Sequence, residues 1–242
     1  MFETRVEHDL PSCVLLDLDN TLYAYEPAHQ AGLLAAQLAA EQTLKIKPRD
    51  FYNAVDDARA ELKRRLGPTA SSHHRLLYFQ RAIELCGLAS QVASALQFTN
   101  AYWTGFLKAS ELFPEVHEFL DDLRLLGVPV IILTDLTAEI QFRKFLYWRL
   151  DRQIDWIVTS EEAGADKPDP RMFRLALAKL GGIEGTVWMI GDNPVADIRG
   201  AKESIGAVTF QVLASGIAKC DEADHHIENF AQLRAHLRAC RH

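Results

Sequence analysis

The chain has no long apolar run, no lysine- or arginine-rich block, no Cys-x-x-Cys pair and no His-x-x-x-His pair. Each absence removes a class of protein. A membrane helix needs about 20 apolar residues in a row, and no run approaches that length. A net charge of −7 without a basic cluster argues against nucleic acid as a partner. Cys13, Cys86, Cys220 and Cys240 lie far apart and read as reduced thiols of a cytoplasmic protein. The nine histidines lack the spacing of zinc ligands. The opening stretch Met1 to Asp9 is polar and acidic, so a signal peptide is not expected. With 242 residues, 48% of them hydrophobic, the length suits one large domain or a domain with an insert.

What is present begins at Val14-Leu15-Leu16-Asp17-Leu18-Asp19-Asn20-Thr21-Leu22. Cys13 to Leu16, then Leu18, reads as a buried strand. Asp-Asn-Thr is turn chemistry and stops it. Side chains alternate along a strand, so Asp17 and Asp19 start on the same side. Like charges that close, at the margin of a low-dielectric core, repel each other. A cation or a shared proton relieves them. Taken alone, Asp-x-Asp also reads as a solvated acidic turn.

After Tyr23 the rhythm changes. Residues 28–41, 48–66, 73–85 and 90–108 carry helical spacing, and no strand is expected among them. Ser71-Ser72 are the expected cap of the third helix, and Gly67-Pro68 ends the second. From Pro114 onward strands and helices alternate. Strands are expected at 128–134, 154–159, 186–190, 207–212 and 225–227, with helices at 137–150, 170–180, 194–204 and from Asn229. That alternation predicts an α/β fold, a parallel sheet wound on both faces, with ligands at the carboxyl ends of its strands. Asp17, Thr134 and Asp192 are all expected just past such ends.

Four stretches then share one resemblance. Asp17-Leu18-Asp19-Asn20-Thr21 matches Asp-x-Asp-x-Thr. Thr134 follows Val130-Ile131-Ile132-Leu133, and Lys167-Pro168 follows Gly164-Ala165-Asp166. Gly191-Asp192-Asn193-Pro194-Val195-Ala196-Asp197 follows Val187-Trp188-Met189-Ile190. In that order they resemble the haloacid dehalogenase-like superfamily, whose members are mostly phosphatases. The resemblance covers about residues 11–22 and 112–230, and the segment between matches only by place and helical character. It implies a doubly wound parallel core domain from 1–22 and 110–242, and a helical cap domain from 23–109.

The same resemblance implies roles. Asp17 is expected as the nucleophile, forming an aspartyl-phosphate, and Asp19 as general acid and then base. Thr134 and Lys167 are expected on the phosphoryl oxygens. Mg²⁺ is the expected cofactor, held by Asp17, the Asp19 backbone carbonyl and Asp192. The expected activity is hydrolysis of a small phosphorylated metabolite by a monomer or homodimer. Asp197 either orients Lys167 or is a helix-face carboxylate. Asp135 stands where the family usually has Asn or a small residue, and a carboxylate beside a phosphate site is unfavourable unless it points away or is paired.

Specificity candidates are Tyr23, Tyr25, Glu26 and His29, then His73, His74, Arg75, Tyr102 and Trp103 deeper in the cap. Other readings share the fold. A 2-haloacid dehalogenase needs no acid at Asp19. A phosphonate hydrolase needs a cap lysine, and Lys45, Lys47 and Lys63 read as solvated. A phosphosugar mutase shares every core motif. A non-catalytic binding module should have lost one of Asp17, Asp19, Lys167 or Asp192, and none is lost.

Overall fold

The computed structural model describes residues 10–213 and 216–240. Six strands, β1 (Cys13–Leu16), β2 (Val130–Thr134), β3 (Trp156–Thr159), β4 (Val187–Gly191), β5 (Val208–Val212) and β6 (His225–Ile227), form one sheet. Every pairing is parallel, in the order β3-β2-β1-β4-β5-β6. β1, β2 and β4 are buried throughout, as nearly continuous apolar runs must be when both faces are covered.

The two faces sort by alternation. Val14, Leu16, Ile132 and Ile190 join one core; Cys13, Leu15, Ile131, Leu133 and Met189 join the other. Strand order reverses at β1, whose neighbours lead to opposite edges. A reversal of this kind opens a crevice at the strand ends where ligands bind.

Between β1 and β2 the chain runs through α1 (Tyr25–Leu44), α2 (Pro48–Leu66), a 3₁₀ turn (Ala70–His73), α3 (Arg75–Leu85), α4 (Val92–Ala109) and α5 (Val116–Leu125). α1 and α4 approach closely because Gly105 has no side chain: a Cβ there would lie 2.9 Å from the Ala31 carbonyl oxygen. The chain enters and leaves this segment side by side, with the Phe113 amide donating to the Leu22 carbonyl at 2.8 Å. Apolar packing runs without a break from Leu18 and Leu22 through Tyr23 into Phe106, Tyr102 and Phe79.

The remaining helices are α6 (Ala138–Trp148), α7 (Ser160–Ala163), α8 (Pro170–Lys179), a π-helical stretch (Pro194–Arg199), α9 (Gly200–Ile205) and α10 (Phe230–Ala239). α5 and α10 cover one face through Phe119, Leu120 and Phe230; α8 and α9 cover the other through Met172, Phe173 and Ala201.

The expected strands and helices form in the expected order, with three differences. The third helix starts at Arg75, capped by His74, whose ring accepts from the Leu76 amide at 3.2 Å. Ser71 and Ser72 are spent in the 3₁₀ turn instead, and the Ser72 carbonyl takes the Tyr78 hydroxyl at 2.5 Å. α7 was not expected; Thr159 caps it, with its hydroxyl accepting from the Glu162 amide. The stretch from Pro194 begins as π-helix, where Ile198 bonds back five residues to the Asn193 carbonyl at 3.2 Å. That wider turn brings Asp197 back against the end of β4.

Candidate active site

Asp17 is the first residue past β1. Its amide still donates to the Ile190 carbonyl at 2.9 Å, so it stays in line with β4. Its carboxylate is buried and fully engaged. One oxygen accepts the Thr21 hydroxyl at 2.8 Å and the other the Lys167 ammonium at 2.6 Å. Lys167 also reaches Asp197 at 2.6 Å. The second Asp197 oxygen accepts the Asn193 amide at 3.0 Å. Asp197 therefore orients Lys167. It fits only because residue 191 is glycine: a Cβ there would lie 2.6 Å from the Asp197 Cβ. Asp192 follows directly and is buried as well.

One oxygen from each of Asp17, Asp192 and Asp197 falls within 4.8 Å of the others. Three buried carboxylates thus face one lysine. Burial, then the charges of Asp17 and Asp197, push Asp192 up to about 8. Burial likewise pushes Asp17 up to about 6, against the pull of Lys167. The surplus is negative and every donor is an oxygen, which is the chemistry that suits a divalent cation such as Mg²⁺. Asp17 and Asp192 each follow one of the neighbouring strands β1 and β4, so both carboxylates stand at the mouth of the crevice where a cation could be held.

Asp19 belongs to a different neighbourhood. One oxygen accepts the Lys144 ammonium at 2.5 Å and the Tyr23 hydroxyl; the other accepts the Gln141 side-chain amide at 3.4 Å. Burial would raise this carboxyl, but Lys144, with the hydrogen bonds from Lys144 and Tyr23, holds it below the usual carboxylate range. Lys144 is itself buried in α6, over the rings of Tyr23, Trp103 and Phe106 at 5.3–5.9 Å.

Thr134 ends β2, one strand from Asp17. Its hydroxyl accepts from Gln141 at 2.7 Å. Asp135 is paired rather than pointed away. It accepts the Lys167 amide at 2.9 Å and so anchors the loop that carries the lysine. Burial pushes it up to about 6, with Lys167 opposing. The carboxylate is tolerated because it finds a backbone donor there.

The fold thus gathers Asp17, Lys167, Asp192 and Asp197 directly, with Thr134 and Asp19 tied in through Gln141 and Lys144. Sequence reasoning did not single out Lys144 or Gln141. The signal was available: both sit on the buried stripe Ile140, Gln141, Lys144, Phe145, Trp148 of α6. A lysine and a glutamine on an apolar face need partners. Of the cap candidates, Tyr23 is fully buried and bonded to Asp19. His73 meets Asp166 at 3.0 Å, and the Asp166 amide donates to the Pro68 carbonyl at 3.1 Å. These contacts press the helical segment against the loop of Lys167.

Residues 11–204 match the haloacid dehalogenase-like hydrolase family. The chain belongs to that family. It is 37% identical over 235 residues to ribulose-1,5-bisphosphate 5-phosphatase of Halopiger xanaduensis, covering 93% of this chain and 98% of that one. It is 28% identical over 202 residues to glyceraldehyde 3-phosphate phosphatase of Methanopyrus kandleri, covering 82% of each. In fold it is similar to a 2-haloacid dehalogenase from Pseudomonas syringae, with a TM-score of 0.73, 23% identity and coverage of 95% and 99%. Among the described residues no helix is long and apolar enough to cross a membrane.

Proposed function

We propose that this hydrolase is a Mg²⁺-dependent phosphatase that cleaves a small phosphorylated metabolite through an aspartyl-phosphate on Asp17. The observation that carries the reading is the different surroundings of two carboxylates. Asp17 lies in an acid-rich pocket against Lys167; Asp19, two residues on, is held apart by Lys144 and Tyr23.

In the first step an Asp17 oxygen attacks phosphorus and the ester P–O bond breaks. The leaving oxygen takes a proton from Asp19. In the second step water attacks the same phosphorus and gives its proton to Asp19; Asp17 and inorganic phosphate are released. In the arrangement described, Asp19 is ionised, the form the second step uses. To serve the first step it must release Lys144 and take up a proton from solvent, which it then gives to the leaving oxygen. Thr134 and Lys167 hold the phosphoryl oxygens, and Asp197 and Asp135 keep Lys167 in place. Asp17, Asp192 and the Asp19 carbonyl would hold Mg²⁺, which when bound neutralises the phosphoryl charge that faces an anionic nucleophile.

Residues 23–109 act as the cap in this reading, and 1–22 with 110–242 as the core. Lys45, Lys47 and Lys63 are exposed, which counts against a phosphonate-hydrolase lysine in the cap. The carboxylate of Asp19 counts against dehalogenation. The names of the relatives favour short phosphorylated sugars. The setting proposed is cytoplasmic, in keeping with four cysteines spaced far apart in the sequence. The oligomeric state proposed is monomer or homodimer. The test is phosphate release from para-nitrophenyl phosphate. Release with Mg²⁺ that stops with EDTA is expected; no release at any Mg²⁺ concentration would overturn the reading.

A further inference from the structure

Arg75 is a buried arginine with no carboxylate partner among the described residues. It opens α3 and is 9% exposed. One terminal nitrogen donates to the His73 carbonyl at 2.6 Å, and the other donates to the Tyr25 hydroxyl. The guanidinium lies 5.3 Å from the ring centres of Tyr78 and Tyr102 and 5.7 Å from that of Trp103. Among the described residues it forms no ion pair, and its buried Nε has no hydrogen-bond partner. His29 brings no charge to the group: burial, then the charge of Arg75, push its ring down to about 4. Burial raises the Tyr102 phenol, which stays neutral.

Ring faces alone are a weak counterpart for a desolvated guanidinium. The planar fork of an arginine is best matched by a phosphate or carboxylate. Arg75 also lines a cavity of about 160 Å³ between the helical segment and the start of α6, with His74, Asn100, Trp103, Thr137 and Glu139. Glu139, at the exposed rim, is taken up by Arg143 at 2.6 Å, so it leaves the arginine unneutralised. Trp103 links this cavity to the chemistry. Lys144 lies 5.9 Å from the centre of the same indole and holds Asp19 at 2.5 Å. The unneutralised arginine is one ring away from the cation that holds the acid/base carboxylate.

We propose that this cavity is a second anion subsite, in which Arg75 binds a phosphate or carboxylate at the end of the substrate remote from the ester that is cleaved. The proposal rests on the phosphatase reading and narrows it: the substrates are phosphate esters with two anionic ends. A guanidinium that only staples α3 to Tyr25, Tyr102 and Trp103 is the competing account.

The test separates binding from turnover. Titration calorimetry with Mg²⁺ on Asp17→Asn uses three five-carbon probes: pentulose 1,5-bisphosphate, pentulose 5-phosphate and a 5-phosphoaldonate. The bisphosphate is expected to bind at least tenfold more tightly than the 5-phosphate. Arg75→Met, added to Asp17→Asn, should cut that preference below threefold and leave the 5-phosphate unchanged. The aldonate distinguishes the sources: a preference that Arg75→Met also removes shows that a carboxylate serves as well as a phosphate. Equal affinity for both sugar phosphates, or equal weakening of all probes by Arg75→Met, overturns the subsite. Should Arg75→Met fail to fold, Arg75→Lys keeps charge and bulk but loses the fork, and the preference should drop at least threefold; an unchanged preference overturns the proposal. If the wild-type chain fails on para-nitrophenyl phosphate, the phosphatase reading falls, while the affinity difference still decides the subsite.

Discussion

Lys167 at the sheet end and Arg75 in the helical segment are both buried cations, and their surroundings are opposite. Lys167 touches two carboxylates, with a third beside them. Arg75 touches two oxygens of neutral groups and three ring faces. The sheet end is therefore short of positive charge and the helical segment is short of negative charge. A substrate phosphate with its metal fits the first deficit, and a second anion fits the other. Lys144 stands between them, with Asp19 as its one carboxylate among the described residues.

The largest effect expected is at the acid-rich end. Asp17→Asn should lower turnover by on the order of 10⁴–10⁶-fold on every substrate, as loss of a nucleophile does, and acid quenching should trap no phosphoenzyme. Retained turnover would show that the Lys167 cluster is structural. Asp19→Asn comes next. General acid help is worth about 10²–10⁴-fold and scales with the basicity of the leaving oxygen. Alkyl phosphates should lose that much, while the first step with para-nitrophenyl phosphate suffers far less. Phosphoenzyme should then accumulate on Asp17. Equal loss on both substrates with nothing trapped would remove Asp19 from acid/base work.

The intermediate cation should show an intermediate effect. Lys144→Met leaves the Asp19 carboxylate with Tyr23 and Gln141 only. Stability should fall by about 1–3 kcal/mol, the usual result of stripping one partner from a poorly solvated polar group. In the double variant with Asp19→Asn most of that loss should return. Urea unfolding of the four proteins measures the coupling, and additive losses would mean that the contact contributes nothing.

Much of this was legible in the sequence because it is local. Unbroken runs such as Val130-Ile131-Ile132-Leu133 have few folded outcomes other than a covered strand. Asp17 and Asp19 lie two residues apart in sequence, and the glycine and proline positions mark the turns. What escaped depends on packing between distant segments. Lys144 is a helix lysine until the fold sets Asp19 against it, 125 residues away in sequence. Asp135 could not be assigned a direction before the Lys167 amide came to meet it. The Ser71-Ser72 cap was displaced because a tertiary contact, Tyr78 on the Ser72 carbonyl, settled the turn. Arg75 belonged to the group of cap candidates, but nothing in its neighbours in sequence says that it lacks a carboxylate.

The smallest effect expected reads the charge of Arg75 directly. The His29 Nδ1 pairs with the Tyr102 hydroxyl at 2.6 Å, and its ring stacks on Tyr25, so it belongs to the same cluster. Its ring is pushed from an ordinary value of 6.5 down to about 4 by burial, then by Arg75, with Glu26 opposing and Arg59 adding slightly. The unfolded chain therefore takes up this proton first as pH falls. Above 6.5 both states are neutral at His29 and stability does not depend on it; between 6.5 and 4 stability is lost; below 4 the loss is complete. The slope cannot exceed about 1.4 kcal/mol per pH unit for one proton, and a partly exposed ring should give less. His29→Gln should flatten that part of the curve, and an unaltered curve would remove His29 as its source. Nuclear magnetic resonance titration of the ring sharpens the comparison further. Replacing Arg75 with methionine should raise the His29 midpoint, because burial remains while the neighbouring charge is gone. A midpoint that stays put would show that burial alone sets it and that the guanidinium charge is already neutralised, which would erase the contrast with Lys167.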